Sequence, residues 1–321
     1  EEALEYFNKE ITENPENGYA FACIAAIRIS NNDKGRALRA VEQALKLLPK
    51  KDTEFVAYAH GVRSNVYLAL EDTVSAMTDL DKAIKLTPKQ SALYEKRANI
   101  YYMQKQYELS DADYQQMISL DTSNSMPYMG LGRNRNAQGL WKEAIEQFDY
   151  VAKLYPDYSA VYSFRAESYL GLKDWDNATE DIVSALAIDH DRRAFLLMSG
   201  IASEGFRLME AKLKIQQAKS PNEAMWPYYL GIMQENAKHY KKAIEYYTKS
   251  MDLDASSVFA ERTAICYSEL GAMKSALEYV NIAQELDPED FDLVQEKADY
   301  LYYDGQVDAA IAELTRYVNH Y

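Results

Sequence analysis

Ser125 to Pro156 reads SMPYMGLGRNRNAQGLWKEAIEQFDYVAKLYP. Counted from Asn124 as zero, Tyr128, Leu131, Gly132, Gly139, Trp141, Ala144, Phe148, Ala152 and Pro156 fall at offsets 4, 7, 8, 15, 17, 20, 24, 28 and 32. Gly139 separates two apolar patterns of helical period, so the stretch predicts helix, tight turn, helix, stop. Small residues at offsets 8 and 20 let the two helices approach, and the large residues at 4, 17 and 24 fill the space around them. One such pair buries little by itself and needs neighbours above and below.

Those neighbours recur along the chain. Stepping back from Pro156 gives Thr122, Pro88, Pro49 and Pro15, at intervals of 34, 34, 39 and 34. Stepping forward gives His190, Pro221, Ala255 and Pro288, at intervals of 34, 31, 34 and 33. Aspartates 121, 189, 254 and 287 precede four of these marks. The period and its Trp/Tyr, Leu, Gly, Tyr, Ala, Phe/Tyr, Ala, Pro pattern resemble the tetratricopeptide repeat (TPR) family over nearly the whole chain. The resemblance implies an all-α fold: a right-handed α-solenoid of about nine stacked helix–turn–helix units plus an N-terminal half repeat. It implies that the first helix of each unit lines the concave face.

Residues 1–16 match the second half of a repeat, with Ala3 and Phe7 where Ala144 and Phe148 stand in the reference unit. Full units follow, and the last ends on its second helix without a polar cap. Both ends therefore read as cut, the expectation for part of a longer protein. The irregular unit is 192–222, only 31 residues long, with Leu196 and Gly200 in place but no glycine or aromatic at its turn. The organisation expected is a block over 1–191, a degenerate repeat or joint at 192–222, and a block over 223–321.

Composition narrows the partners. Fifty acidic against 35 basic residues leave a net charge of −15, which disfavours a phosphate backbone. Apolar runs such as Ala194–Ala202 are far shorter than the roughly 20 residues that cross a bilayer. Cys23 and Cys266 stand about seven repeats apart, so no disulfide is expected. His60, His190, His239 and His320 lie in different repeats, none with a second ligand at metal-binding spacing. Asp111-Ala112-Asp113 reads as a solvated acid beside a structural one. No catalytic motif or cofactor site is apparent, and the chain is read as non-enzymatic. Most tyrosines fall at packing offsets.

The repeats supply an internal alignment. At offset 7 stand Ile24, Arg63, Arg97, Leu131, Arg165, Leu230, Thr263 and Lys297; at offset 23 stand Ala40, Asp79, Asp113, Gln147, Asp181, Tyr246, Tyr279 and Glu313. Each basic residue is matched by an acid and no neutral one is. Both offsets face the interface of the helix pair, where an unpaired charge is costly. The covariation predicts four structural ion pairs: Arg63–Asp79, Arg97–Asp113, Arg165–Asp181 and Lys297–Glu313.

By resemblance, groove positions are offsets 2, 5, 9, 12 and 13 of each first helix. These give a polar stretch with a cation, Asn99, Tyr102, Met129, Arg133, Asn136 and Glu167, then an apolar one, Leu197, Ile201, Met225, Tyr228 and Ile232. The lysine and basic residues with which some TPR domains grip a C-terminal carboxylate are missing: offset 5 holds Gly61, Glu95, Met129 and Ser163. Apolar and aromatic groups on a concave wall suit a peptide, with Arg133 fixing an acidic or carbonyl group. The leading reading is a scaffold binding a protein or peptide segment in the groove. The alternative is a targeting or regulatory arm of a larger enzyme or envelope complex, and self-association through uncapped ends is a third. The repeats resemble those of bacterial multi-repeat proteins, many exported, which leans toward the cell envelope or periplasm and leaves the cytoplasm open.

Overall fold

The computed structural model describes residues 2–201 and 203–318; Glu1, Ala202, Asn319, His320 and Tyr321 lie outside the described residues. The described chain is helical, and it divides into two compact units, Glu1–Leu154 and Tyr155–Tyr321. The first holds α1 (Glu2–Glu13), α2 (Gly18–Ser30), α3 (Lys34–Leu47), α4 (Thr53–Ala69), α5 (Thr73–Leu86), α6 (Ser91–Met103), α7 (Tyr107–Leu120), α8 (Met126–Ala137) and α9 (Trp141–Leu154). The second holds α10 (Ser159–Gly171), α11 (Trp175–Asp189), α12 (Arg192–Ser199), α13 (Ser203–Lys219), α14 (Met225–Asn236), α15 (Tyr240–Leu253), α16 (Ser257–Glu269), α17 (Met273–Leu286), α18 (Asp292–Tyr303) and α19 (Val307–Val318).

One turn closes nearly every pair. After α6 the chain passes Gln104, then Lys105 at φ 59°, with Lys105 N–H donating to Tyr102 O and Gln106 N–H to Tyr101 O. These two bonds satisfy carbonyls that the helix end would leave open, and they demand a left-handed residue between them. The same residue is Asn32, Glu71, Gly139, Lys173, Lys238, Gly271 and Gly305 in the other pairs. Aspartates 33, 72 and 174 follow it and cap the next helix, accepting from the N–H of Arg36, Ser75 and Asn177.

The second helices stop by two devices. Before Pro49, Pro88 and Pro288 the backbone at Leu48, Thr87 and Asp287 swings out of the helical region, as a following proline requires. Where the proline is missing, Asp121 reaches ψ 106° and its carboxylate accepts from Ser123 N–H, an Asx turn doing the same task. His190 ends α11 in the left-handed region instead.

Small-to-large packing joins the helices of two pairs. A Cβ on Gly132 of α8 would lie 2.5 Å from Phe148 Cε1 of α9, and one on Gly231 of α14 would lie 2.3 Å from Tyr247 Cε1 of α15. Phe148 and Tyr247 are both fully buried. Burying such a ring stabilises by about 1.5–3 kcal/mol, so the absent methyl is what allows the approach. In the first unit Val41, Leu80, Tyr114 and Phe148 anchor successive layers. In the second the largest cluster gathers Ile182, Leu186, Met198, Met209, Leu213, Tyr229, Leu230 and Tyr247.

The unit 192–222 departs from this scheme. Its first helix, α12, has 8 residues where α10, α14 and α16 have 13, 12 and 13. Its second, α13, has 17. No left-handed residue joins them among the described residues. α12 approaches α10, α11 and α14, and α13 lies against α11 and α14.

Candidate functional site

Four cation–acid clasps cross the helix pairs. Arg63 Nε and Nη2 donate to Asp79 Oδ2 and Oδ1 at 2.6 and 2.9 Å. Arg97 grips Asp113 at 2.9 and 2.7 Å, and Arg165 grips Asp181 at 2.8 and 2.7 Å. Lys297 Nζ lies 2.8 Å from Glu313. The three aspartates are buried, so each two-pronged contact stands in a poorly hydrated setting where it is both strong and obligatory.

The clasps extend further than the internal alignment indicates. His60 Nδ1, one turn before Arg63, lies 2.9 Å from Asp79 Oδ1. Burial pushes the Asp79 carboxyl up, but hydrogen bonds from Arg63 and His60 and their charges outweigh it and hold it at about 2. Arg97 also donates to Asp81 of the preceding repeat at 2.7 Å, tying α6 to α5. Asp111 is not the solvated acid that the sequence suggests. It is half-buried and accepts from Asn134 Nδ2 at 2.7 Å and from Arg135 Nη1, latching α7 to α8.

The groove candidates fall into two groups. In the first unit Asn99, Tyr102 and Arg133 are half-buried and reachable. Asn99 Oδ1 accepts from the Tyr114 hydroxyl at 3.2 Å, and the Arg133 guanidinium sits 4.9 Å over the Tyr102 ring. Met129 and Asn136, 4 % and 7 % exposed, are buried between helices and offer a partner nothing. In the second unit Glu167 is held by Arg193, whose guanidinium lies 4.2 Å over Phe164. Leu197, Ile201 and Met225 pack at the margin of the large cluster. Tyr228 and Ile232 belong to that cluster, Tyr228 within 5.9 Å of Tyr247 and 5.1 Å of Phe259. Both are therefore corrected from groove contacts to core residues, since only 9% of Tyr228 and 6% of Ile232 is exposed.

One lysine stands out on the α4–α6–α8 side. Lys96 is half-buried, and its ammonium donates to Asn65 Oδ1 at 3.2 Å. Among the described residues no carboxylate lies within ion-pair distance of it. Burial pulls its pKa down, only partly opposed by Glu95. It lines a hollow of about 210 Å³ with Ala26, Tyr58, Gly61 and Leu93. It also lines one of about 570 Å³ with Leu68, Asn99, Ile100 and Met103. Lys96, at offset 6, falls outside the groove positions that the resemblance supplied.

Among the described residues no group of three or more His, Cys, Asp or Glu is placed to hold a metal ion. Burial pushes the Cys23 thiol up and the Cys266 thiol to about 12, so both stay protonated and poorly nucleophilic. His190, at the end of α11, shares its Nδ1 with the Tyr229 hydroxyl at 3.1 Å. Among the described residues no helix is long and apolar enough to cross a membrane.

A family model for the tetratricopeptide repeat matches residues 129–191. That match begins inside the quoted reference unit and runs to the end of its successor, and the turn that closes both pairs also closes α6–α7 and α14–α15. The chain carries tetratricopeptide repeats. It is 26% identical over 176 residues to human tetratricopeptide repeat protein 13, covering 53% of this chain and 20% of that protein. It is 22% identical over 257 residues to the human mitochondrial import receptor subunit TOM70, covering 73% of this chain and 41% of that protein. The TPR chain thus spans between a fifth and about two fifths of these relatives. Among solved structures it is similar to YrrB, described as a TPR protein with an unusual peptide-binding site. Identity there is 23%, coverage is 62% of this chain and all of that one, and the TM-score is 0.48. The TPR architecture supports a role in protein–protein interaction.

Proposed function

We propose that this chain is a non-catalytic scaffold that holds an extended, acid-bearing segment of a partner protein along the side lined by α4, α6 and α8. The observation that carries the reading is Lys96. A half-buried ammonium with no carboxylate partner among the described residues, on a chain of net charge −15, costs free energy that a bound anion would offset. The two hollows beside it suit apolar side chains flanking that anion. Asn99 offers an amide, and Arg133 with Tyr102 a cationic and aromatic rim. This deepens the expected groove toward the first unit and away from Tyr228 and Ile232.

The test is selection of peptides from a displayed random library on the intact chain, repeated on Lys96→Ala. Enrichment of peptides with an Asp, Glu or free carboxylate flanked by apolar residues, lost in Lys96→Ala, supports the reading. Enrichment unchanged by the substitution, or none, refutes it. A second reading, that the repeats are the targeting or regulatory arm of a larger machine, is favoured by the short span of the relatives that the chain covers. We further infer that 192–222 acts as a joint, since α12, with 8 residues against 12 or 13 in its neighbours, departs from the pairing that the other repeats share. Cleavage there under limited proteolysis, ahead of the regular turns, is the expected sign.

A further inference from the structure

The shortened repeat leaves a hole of definite shape. α10, α14 and α16 run 13, 12 and 13 residues, whereas α12 has 8 and ends at Ser199, short of that length by about a turn. Beside its end, Met233 and Asn236 of α14 and the following Ala237 border a cavity of about 450 Å³. Met198, Ile201, Phe206 and Met233 give it an apolar floor, Met198 and Met233 being almost wholly buried. The walls are fixed: Asn236 Nδ2 donates to Ser199 O at 3.0 Å, closing the open end of α12. His239 is held on Gln234 by its backbone N–H at 2.8 Å and by its ring Nδ1 at 3.0 Å.

The rim carries positive charge on an acidic chain. Lys212 and Lys214 of α13 are paired with Asp176 and Glu180 and with Glu210. Arg207, on the same helix and lining the cavity, is exposed and has no ion-pair partner among the described residues. Lys238 stands next to the lining residue His239. Glu204, three residues before Arg207, accepts from the Ser203 hydroxyl at 3.1 Å.

We propose that this cavity is a second peptide-anchoring site, distinct in kind from the α4–α6–α8 face. It takes one bulky apolar side chain of a partner protein, Phe, Leu or Met, with an acidic residue next to it meeting Arg207. The pocket lies where α12 stops short of its neighbours' length. An apolar anchor in a pocket beside a complementary charge is how a few side chains come to dominate an interface.

The probe is Ac-Gly-Phe-Glu-Asp-Gly-NH2, titrated against the intact chain carrying 13C-methyl methionine. Two controls replace Phe by Ala, or Glu-Asp by Gln-Asn. The Met198 and Met233 methyl signals shift with the Phe acidic peptide and stay still with the Ala peptide. The neutral peptide binds about fivefold more weakly, and Arg207→Gln lowers the affinity of the acidic peptide to that of the neutral one. Arg207 is exposed, so the variant keeps its fold, which far-ultraviolet dichroism checks. Methyls that do not move with the Phe peptide, or move equally with the Ala peptide, overturn the site. Equal binding of the acidic peptide to wild type and Arg207→Gln overturns the partner chemistry. Because the site lies within the second unit, either result is independent of what Lys96→Ala does to peptide selection.

Discussion

Replacing Asp79 by Asn removes one charge and leaves the shape of the α4–α5 clasp almost unchanged. An aspartate titrates near 3.8 in the unfolded chain and at about 2 in the fold. That gap corresponds to about 2.4 kcal/mol of stability at neutral pH, and the side chain is 2% exposed, so solvent screens little of it. The folded pKa is the lower one, so the contribution is complete above pH 4 and is lost as pH falls toward 2. At pH 3 about half should remain. Solenoid repeats open in parts, which makes a global melt a poor readout. Amide exchange on α4 and α5 reports the local opening. In Asp79→Asn, opening should become easier by about 2 kcal/mol at pH 7 and by about 1 kcal/mol at pH 3. No deficit at pH 7 would place the clasp in water, and an equal deficit at both pH values would make it steric rather than ionic.

Three further expectations follow from the packing and the charges. Gly132→Ala puts a methyl 2.5 Å from the buried Phe148 ring, so it should destabilise the α8–α9 pair by about 1–2 kcal/mol, read as faster amide exchange on those helices; Phe148→Leu should restore part of the loss. Lys105→Gly relieves a side chain at φ 59° and should stabilise the α6–α7 turn by about 0.5–1 kcal/mol, seen as slower local exchange. Burial and the nearby Glu261 raise Glu296 from 4.5 to about 7, so its ionisation disfavours the fold increasingly between those pH values. Glu296→Gln should therefore stabilise α18 by about 3 kcal/mol at pH 8 and be nearly neutral at pH 4.5.

The repeat register is legible because one left-handed residue and one small-to-large contact return at a fixed period. Gly139 announces the turn, yet Asn32, Glu71, Lys105, Lys173 and Lys238 occupy the same conformation without glycine. The two carbonyl-capping bonds of the turn compensate for their strain. Exposure along the first helices is not legible, because it depends on how closely neighbouring first helices approach. Offset 5 is buried at Met129 and Tyr228, and offset 9 at Ile232. Contacts between repeats escape an alignment of repeats: Asp81 with Arg97, and Asp111 with Asn134 and Arg135, pair across layers. His60 was findable, since it lies one turn from Arg63 and faces the same carboxylate. The cavity beside α12 is foreshadowed by a unit of 31 residues, but its position depends on which helix loses the turn.

The most direct test of the scaffold account is amide exchange of the intact chain with and without a peptide selected on it. The account predicts added protection on α4, α6 and α8, around Lys96 and Asn99, and loss of that protection in Lys96→Ala. A bound peptide that leaves these helices unprotected, or protects them equally in Lys96→Ala, contradicts it.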